Sequence, residues 1–225
     1  MRLALSLWTA AATIATATII PSRSALPAHP GQSAAKARLF PPLDLGLLNG
    51  PDRDQWQKPD QIMDALGIAE GSVVADLGAG DGWFTIRLAR RVGPNGRVNA
   101  EDIQRQMIEA IGRRVQRENL PNVETVLGTA EDPRLPRGLD AVLIVDAYRE
   151  MEDPQTLLKN VVQSLKPQGR IGVVDFTKGG GGPGPAPEER VDPESVITTA
   201  SAAGLQLLAR EAVPPFEFVL VFGKR

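Results

Sequence analysis

The chain contains no cysteine. Disulfides, thiolate nucleophiles and cysteine-ligated zinc are therefore excluded, and cysteine usage leaves the redox compartment open. Histidine is nearly as scarce. The single one, His29, lies in the N-terminal tail, so the body of the chain has no imidazole to offer as a general base. Neither sign of charge dominates, since 25 Lys and Arg stand against 27 Asp and Glu, and no long basic run occurs. Such a balance gives no sign of a sequence-independent grip on nucleic acid. The 225 residues, 42% of them hydrophobic, are enough to build one core and do not call for a second domain.

The first residues differ from the rest. Met1 and Arg2 precede an apolar stretch, Leu3 to Ile20, and Pro21 then opens a segment rich in Pro, Ser and Ala. Residues 1–24 read as an export leader. Its small-x-small cleavage signal is untidy: Ala15 and Ala17 lie inside the apolar run, and Ala25 and Ala28 follow it. At 18 residues the run also reaches the lower limit for a membrane span, so a retained anchor is the alternative. Residues 25–50 read as linker and 51–225 as the working domain. The expected location is periplasmic or secreted, membrane-anchored if the leader is retained, with membrane contact only through residues 3–20.

The domain is organised around Ser72 to Thr85, SVVADLGAGDGWFT. Val73, Val74 and Ala75 form a short apolar run of the kind found in a buried parallel strand, with Asp76 at its carboxyl end. Gly78, Ala79, Gly80, Asp81 and Gly82 make a turn almost without side chains, and Trp83 to Val92 has helical apolar spacing. Strand, glycine turn and helix form a nucleotide-binding opening. Ahead of it, Pro59 starts a helix ended by Gly67, preceded by Arg53, Trp56, Gln57 and Lys58 on backbone expected to be irregular. Trp56 either caps the core or covers a ligand.

Strand and helix then alternate. Arg97 to Ala100 is a strand ending at Glu101 and Asp102, and Asp102 falls 20 residues beyond Gly82, the spacing at which a carboxylate meets ribose hydroxyls in dinucleotide-type folds. Ile103 to Arg117 is an amphipathic helix, Asn122 to Leu127 a third strand, and LDAVLIV, Leu139 to Val145, a central one ending at Asp146. Asp153 and Pro154 open a helix to Leu165, Lys166, Pro167 and Gly169 break the chain, and Arg170 to Asp175 is a fifth strand. The glycine- and proline-rich stretch from Thr177 to Pro187 is expected to be a mobile loop over the site. A helix from Asp192 to Ala203 follows. Leu205 to Val213 and Phe216 to Phe222, joined through Pro214 and Pro215, permit only an antiparallel hairpin.

Two nucleotide-binding classes fit this plan. A nicotinamide-binding domain wants glycine at the sixth place of the turn, which here is Trp83. Through VVADLGAGDGWFT, NAED, GTAED and the terminal hairpin, the chain from Asp52 to Lys224 resembles the class I S-adenosylmethionine-dependent methyltransferases. Within them it looks most like small exported bacterial members with an arginine and a WQ segment ahead of the glycine motif, here Arg53, Trp56 and Gln57. The resemblance implies an α/β fold, a Rossmann-like three-layer sandwich with a seven-stranded, mostly parallel sheet and an antiparallel last strand. It implies S-adenosyl-L-methionine as cofactor. Asp76 and the backbone of Gly78, Ala79 and Gly80 would hold its amino acid part, and Asp102 the ribose. Ala130 and Glu131 would read the adenine, Asp146 and Ala147 would border the methionine end, and Tyr148, Arg149 and Glu150 would face a small-molecule acceptor.

If the acceptor needs a base, the candidates are Asp146, Tyr148, Glu150 and Asp54. Asp146, Asp175 and Glu150 could approach one another, but no metal is expected. Export would part the protein from a cofactor made in the cytoplasm. The methyltransferase reading therefore stands beside a noncatalytic binder of S-adenosylmethionine or S-adenosylhomocysteine and a nicotinamide oxidoreductase.

Overall fold

The computed structural model describes residues 50–179, 181–211 and 215–225. The predicted leader and nearly all of the linker lie outside the described residues, as do Val213 and Pro214 of the predicted hairpin.

Seven strands form one sheet: β1 (Val73–Leu77), β2 (Arg97–Asp102), β3 (Val123–Leu127), β4 (Leu139–Val145), β5 (Leu165–Phe176), β6 (Leu205–Glu211) and β7 (Glu217–Lys224). Their order is β3-β2-β1-β4-β5-β7-β6. The first five run parallel, and β7 is antiparallel to both β5 and β6. The sequence-based architecture therefore holds. The joint between β6 and β7 is too short for a crossover, so β7 can only turn back and slot between β5 and β6.

Six α-helices accompany them: α1 (Arg53–Gln57), α2 (Pro59–Ala65), α3 (Trp83–Val92), α4 (Arg105–Arg117), α5 (Pro154–Ser164) and α6 (Pro193–Ala202). The continuous apolar run of β4 has a direct cause. Val142 and Ile144 pack into one core layer with Leu158 and Val161 of α5 and Val196 and Ala200 of α6. Ala141, Leu143 and Val145 alternate into a second layer with Ile62 and Met63 of α2 and Phe84 and Leu88 of α3. A strand covered on both faces is mostly apolar, and the one polar residue of β4, Asp140, sits at its start, where it accepts the Val73 amide at 2.9 Å. The caps also form as the sequence indicates. Asp153 Oδ1 accepts the Thr156 amide at 3.0 Å, and Asp192 Oδ1 the Glu194 amide at 3.2 Å, each one residue before a proline.

Four elements differ from the sequence reading. Arg53 to Gln57 is a short helix rather than irregular backbone. Helix α4 begins at Arg105, not Ile103, because Asp102 Oδ1 takes the Gln104 amide at 2.8 Å and turns the chain first. Strand β5 begins at Leu165, which pairs with Leu139 ahead of a register break, so Lys166 and Pro167 interrupt the strand without ending it. The stretch from Thr177 onward, expected to move over the site, is fastened down. Buried Arg190 donates from Nε to Pro185 O at 2.8 Å and from NH1 to Thr177 O at 2.9 Å. Gly184 lies so close to the Phe176 ring that an added Cβ would be 2.5 Å from it.

Candidate active site

The carboxyl ends of β1, β2 and β4 open into one cavity, the position at which open α/β sheets bind ligands. Its floor is the glycine turn. Gly78 has φ +73° and Gly80 φ +57°, and a Cβ on Gly78 would stand 2.6 Å from Ala147 Cβ. Only glycine fits at that point between β1 and the β4 loop.

Three buried acids hold that turn. Asp76 accepts from Thr85 Oγ1 at 2.6 Å, and burial lifts its pKa to about 6. Asp102 Oδ2 accepts the Gly80 amide at 3.0 Å, and burial likewise raises its pKa. Glu101 Oε2 accepts the Gly78 amide at 3.3 Å, and desolvation, aided by neighbouring Asp102, pushes it to about 8. The carboxylate of Asp102 reaches the cavity wall already oriented by two backbone amides, and its oxygens keep lone pairs for hydroxyl donors. Apolar Ile103, Met107, Leu157 and Met151 line the same cavity. A glycine cradle, an oriented carboxylate and an apolar wall suit an adenosine-bearing cofactor.

The other end of the cavity is ionic. Asp146, which follows β4, is a non-glycine residue at φ +57°, a conformation that costs on the order of 1–3 kcal/mol and must be enforced by its surroundings. Its amide donates to Val174 O at 2.9 Å, its carbonyl accepts Arg149 NH1 at 2.8 Å, and its Oδ2 meets Arg53 NH2 at 3.1 Å. The Arg53 guanidinium also lies 4.2 Å from the centre of the Trp83 ring, over which Arg87 stacks at 3.4 Å. Trp83, which displaces the sixth glycine of a dinucleotide turn, therefore serves as a platform for two arginines. Behind Arg53, Gln57 Nε2 donates to Glu217 Oε1 and Oε2 at 2.9 and 2.7 Å.

The structure brings Asp76, Gly78, Ala79, Gly80, Asp102, Ala130 and Asp146 to one cavity, together with Arg149 and Glu150. Two expected site residues are elsewhere. Glu131 is exposed and does not line the cavity, and its carbonyl is taken by Asn160 Nδ2 at 2.8 Å. Tyr148 is buried in the core layer with Leu157 and Leu158, its hydroxyl hydrogen-bonded to Thr199 of α6, and is absent from the cavity wall. Asp54 is occupied by a bidentate pair with Arg87 at 2.7 Å and does not reach the cavity. Trp56 packs on Phe176 with ring centroids 5.7 Å apart, so it caps the core. Among the described residues, no group of three His, Cys, Asp or Glu is placed to hold a metal ion.

Sequence reasoning gave no role to Glu101, Glu217 or Gln57. Glu101 was visible only as the neighbour of Asp102. Glu217 carried one signal, a lone acid inside an apolar strand.

This geometry agrees with known proteins. Residues 74–169 match the family model described as a methyltransferase domain. The demethylmenaquinone methyltransferase of Lactobacillus johnsonii is 30% identical over 139 residues, 60% of this chain and 54% of that protein. The ubiquinone/menaquinone biosynthesis C-methyltransferase UbiE of Pasteurella multocida is 36% identical over 123 residues, 52% of this chain and 44% of that protein. The chain thus spans about half the length of the curated relatives it matches. A solved S-adenosylmethionine-dependent methyltransferase from Aquifex aeolicus superposes with a TM-score of 0.79 at 26% identity, over 83% of this chain and 100% of that one. The fold is that of the class I methyltransferases. The matched segment carries an S-adenosylmethionine-dependent methyltransferase domain, with S-adenosylmethionine as its cofactor.

Proposed function

We propose that the protein transfers a methyl group from S-adenosylmethionine to a small molecule that enters beside Asp146, Arg149 and Glu150. One observation carries this reading: a glycine cradle and an oriented Asp102 at one end of a cavity whose other end is a held set of ionisable groups. A pure binder has no need of the strained Asp146.

When bound, the cofactor supplies a methyl group already activated for in-line displacement. The chain's own task is alignment and exclusion of water. The close-fitting glycine turn and the Asp102 carboxylate fix the ligand's position. Arg53, stacked on Trp83, closes the cavity from the side of α1. Asp146, Arg149 and Glu150 border the opening left for the acceptor.

The named relatives are a demethylmenaquinone methyltransferase and a ubiquinone/menaquinone biosynthesis C-methyltransferase, which makes demethylated quinones the first acceptors to test. Export through residues 1–24 belongs to the same proposal and is checked by cell fractionation. The decisive experiment has two parts. Calorimetry should show binding of S-adenosylhomocysteine, and label from methyl-tritiated S-adenosylmethionine should enter a small-molecule extract. Binding of NAD without S-adenosylhomocysteine would overturn the reading.

A further inference from the structure

The ionic end of the cavity holds more negative charge than its cations match. Asp146 faces Glu217 of β7 and Asp175 of β5, while the guanidiniums nearby are Arg53 of α1 and Arg149 of the 3-10 turn. Arg53 also acts on Asp76 of β1, and Arg149 divides its charge between Asp175 at 3.7 Å and Glu150 at 3.3 Å. Three buried or half-buried carboxyls thus share two partly committed cations.

The hydrogen bonds show the same imbalance. Asp146 Oδ1 and Asp175 Oδ2 are buried and meet no donor from a nitrogen or hydroxyl group. Glu217 is within hydrogen-bonding reach of Asp146. Two carboxyl groups can share a hydrogen bond only if one carries the proton. Burial, and then Asp146 itself, drive the Glu217 carboxyl well above the usual carboxylate range. Gln57 fixes its orientation, with Oε1 of Gln57 in turn accepting Arg53 Nε at 2.8 Å. A protonated Glu217 can supply Asp146 with a donor that the surrounding nitrogens and hydroxyls do not.

We propose that Asp146 is the proton acceptor of the reaction and Glu217 the positioning residue behind it: the two share a proton while the cavity holds a neutral ligand and lose it to solvent when a cationic ligand binds. This rests on the methyltransferase reading above. A positive ligand beside the pair does what the proton did, so the pair ionises. Asp146, which lines the cavity, then stands beside the acceptor as a full carboxylate. The acceptor's O–H bond breaks, its electron pair stays on oxygen, and the proton forms a new O–H bond on Asp146. The acceptor class is a hydroxyl compound acidic enough for that exchange in a dry site, a phenol or an enol.

The test is titration calorimetry of the full chain at pH 7 with S-adenosylmethionine and with S-adenosylhomocysteine, each in phosphate and in Tris. Comparing buffers of different ionisation enthalpy counts the protons released. The cationic ligand should release about one proton more than the neutral one, and the difference should vanish in Glu217→Gln and in Asp146→Asn. Binding of S-adenosylhomocysteine by each variant reports that it is folded. Equal proton counts in the wild-type protein would overturn the proposal, and so would a difference that survives in both variants. If a variant fails to fold, the wild-type comparison still decides. If neither ligand binds, the methyltransferase reading itself fails, and the pair's role falls with it.

Discussion

The carboxylate of Asp102 accepts the backbone amide of Gly80 at 3.0 Å, so the residue at the end of β2 is tied to the turn after β1 before any ligand arrives. Replacing Asp102 by Ala removes both that tie and the acceptor for ribose hydroxyls. Affinity for S-adenosylhomocysteine should fall at least tenfold, consistent with a loss of roughly 1.5–3 kcal/mol for an unpaired charged hydrogen bond. Calorimetry measures it, and unchanged affinity would show that Asp102 does not touch the ligand.

Gly78 is the tightest point of the cradle. Gly78→Ala meets both the positive φ and the Ala147 Cβ at 2.6 Å. It should lower stability by about 1–3 kcal/mol and abolish measurable cofactor binding. Ala147→Gly added to it relieves the contact but not the backbone strain. The double variant should regain part of the stability in urea unfolding, and full recovery would place the whole cost in the contact.

Glu101 gives the protein a pH dependence. Its folded pKa, about 8, lies above the ordinary carboxylate value, so the folded state binds the proton more tightly than the unfolded state does. The stabilisation is fully present below pH 4 and is lost as pH rises from about 5 through 8. Asp76 and Asp175, lifted to about 6 and 7 by burial, act in the same sense. Unfolding free energy of the ligand-free protein should therefore fall across this window. In Glu101→Gln the fall should be shallower by roughly 4 kcal/mol, as a rise from 4.5 to about 8 at about 1.4 kcal/mol per pH unit implies. A slope identical to that of the wild type would disprove the assignment.

Glu131 tests the limits of family resemblance. In this structure it is exposed and outside the cavity, so Glu131→Ala should leave cofactor affinity within about twofold, as for surface changes generally. A tenfold loss, read by the same calorimetry, would mean that the segment after β3 rearranges around the adenine.

Local signals made much of this legible. Asp153 with Pro154, and Asp192 with Pro193, announce helix starts because capping and the first helical turn depend only on neighbouring residues. The two-residue step between Pro214 and Pro215 dictated an antiparallel turn. Glycine spacing with Asp102 placed the turn after β1 and the end of β2 together, since a short turn keeps these groups close whatever surrounds it. Tyr148 and Glu131 were misread for the opposite reason: each sits in a loop whose direction depends on packing against other parts of the chain.

The sequence by itself determined the strand and helix order, the cradle and the carboxylate across from it, all products of short-range periodicity, capping and turn chemistry. Only the tertiary structure decided what stands at the ionic end of the cavity. There Gln57, Asp146, Asp175 and Glu217 come from four separate elements, as far apart as 160 positions between Gln57 and Glu217. No local pattern links such residues. They meet because β7 turns back beside β5.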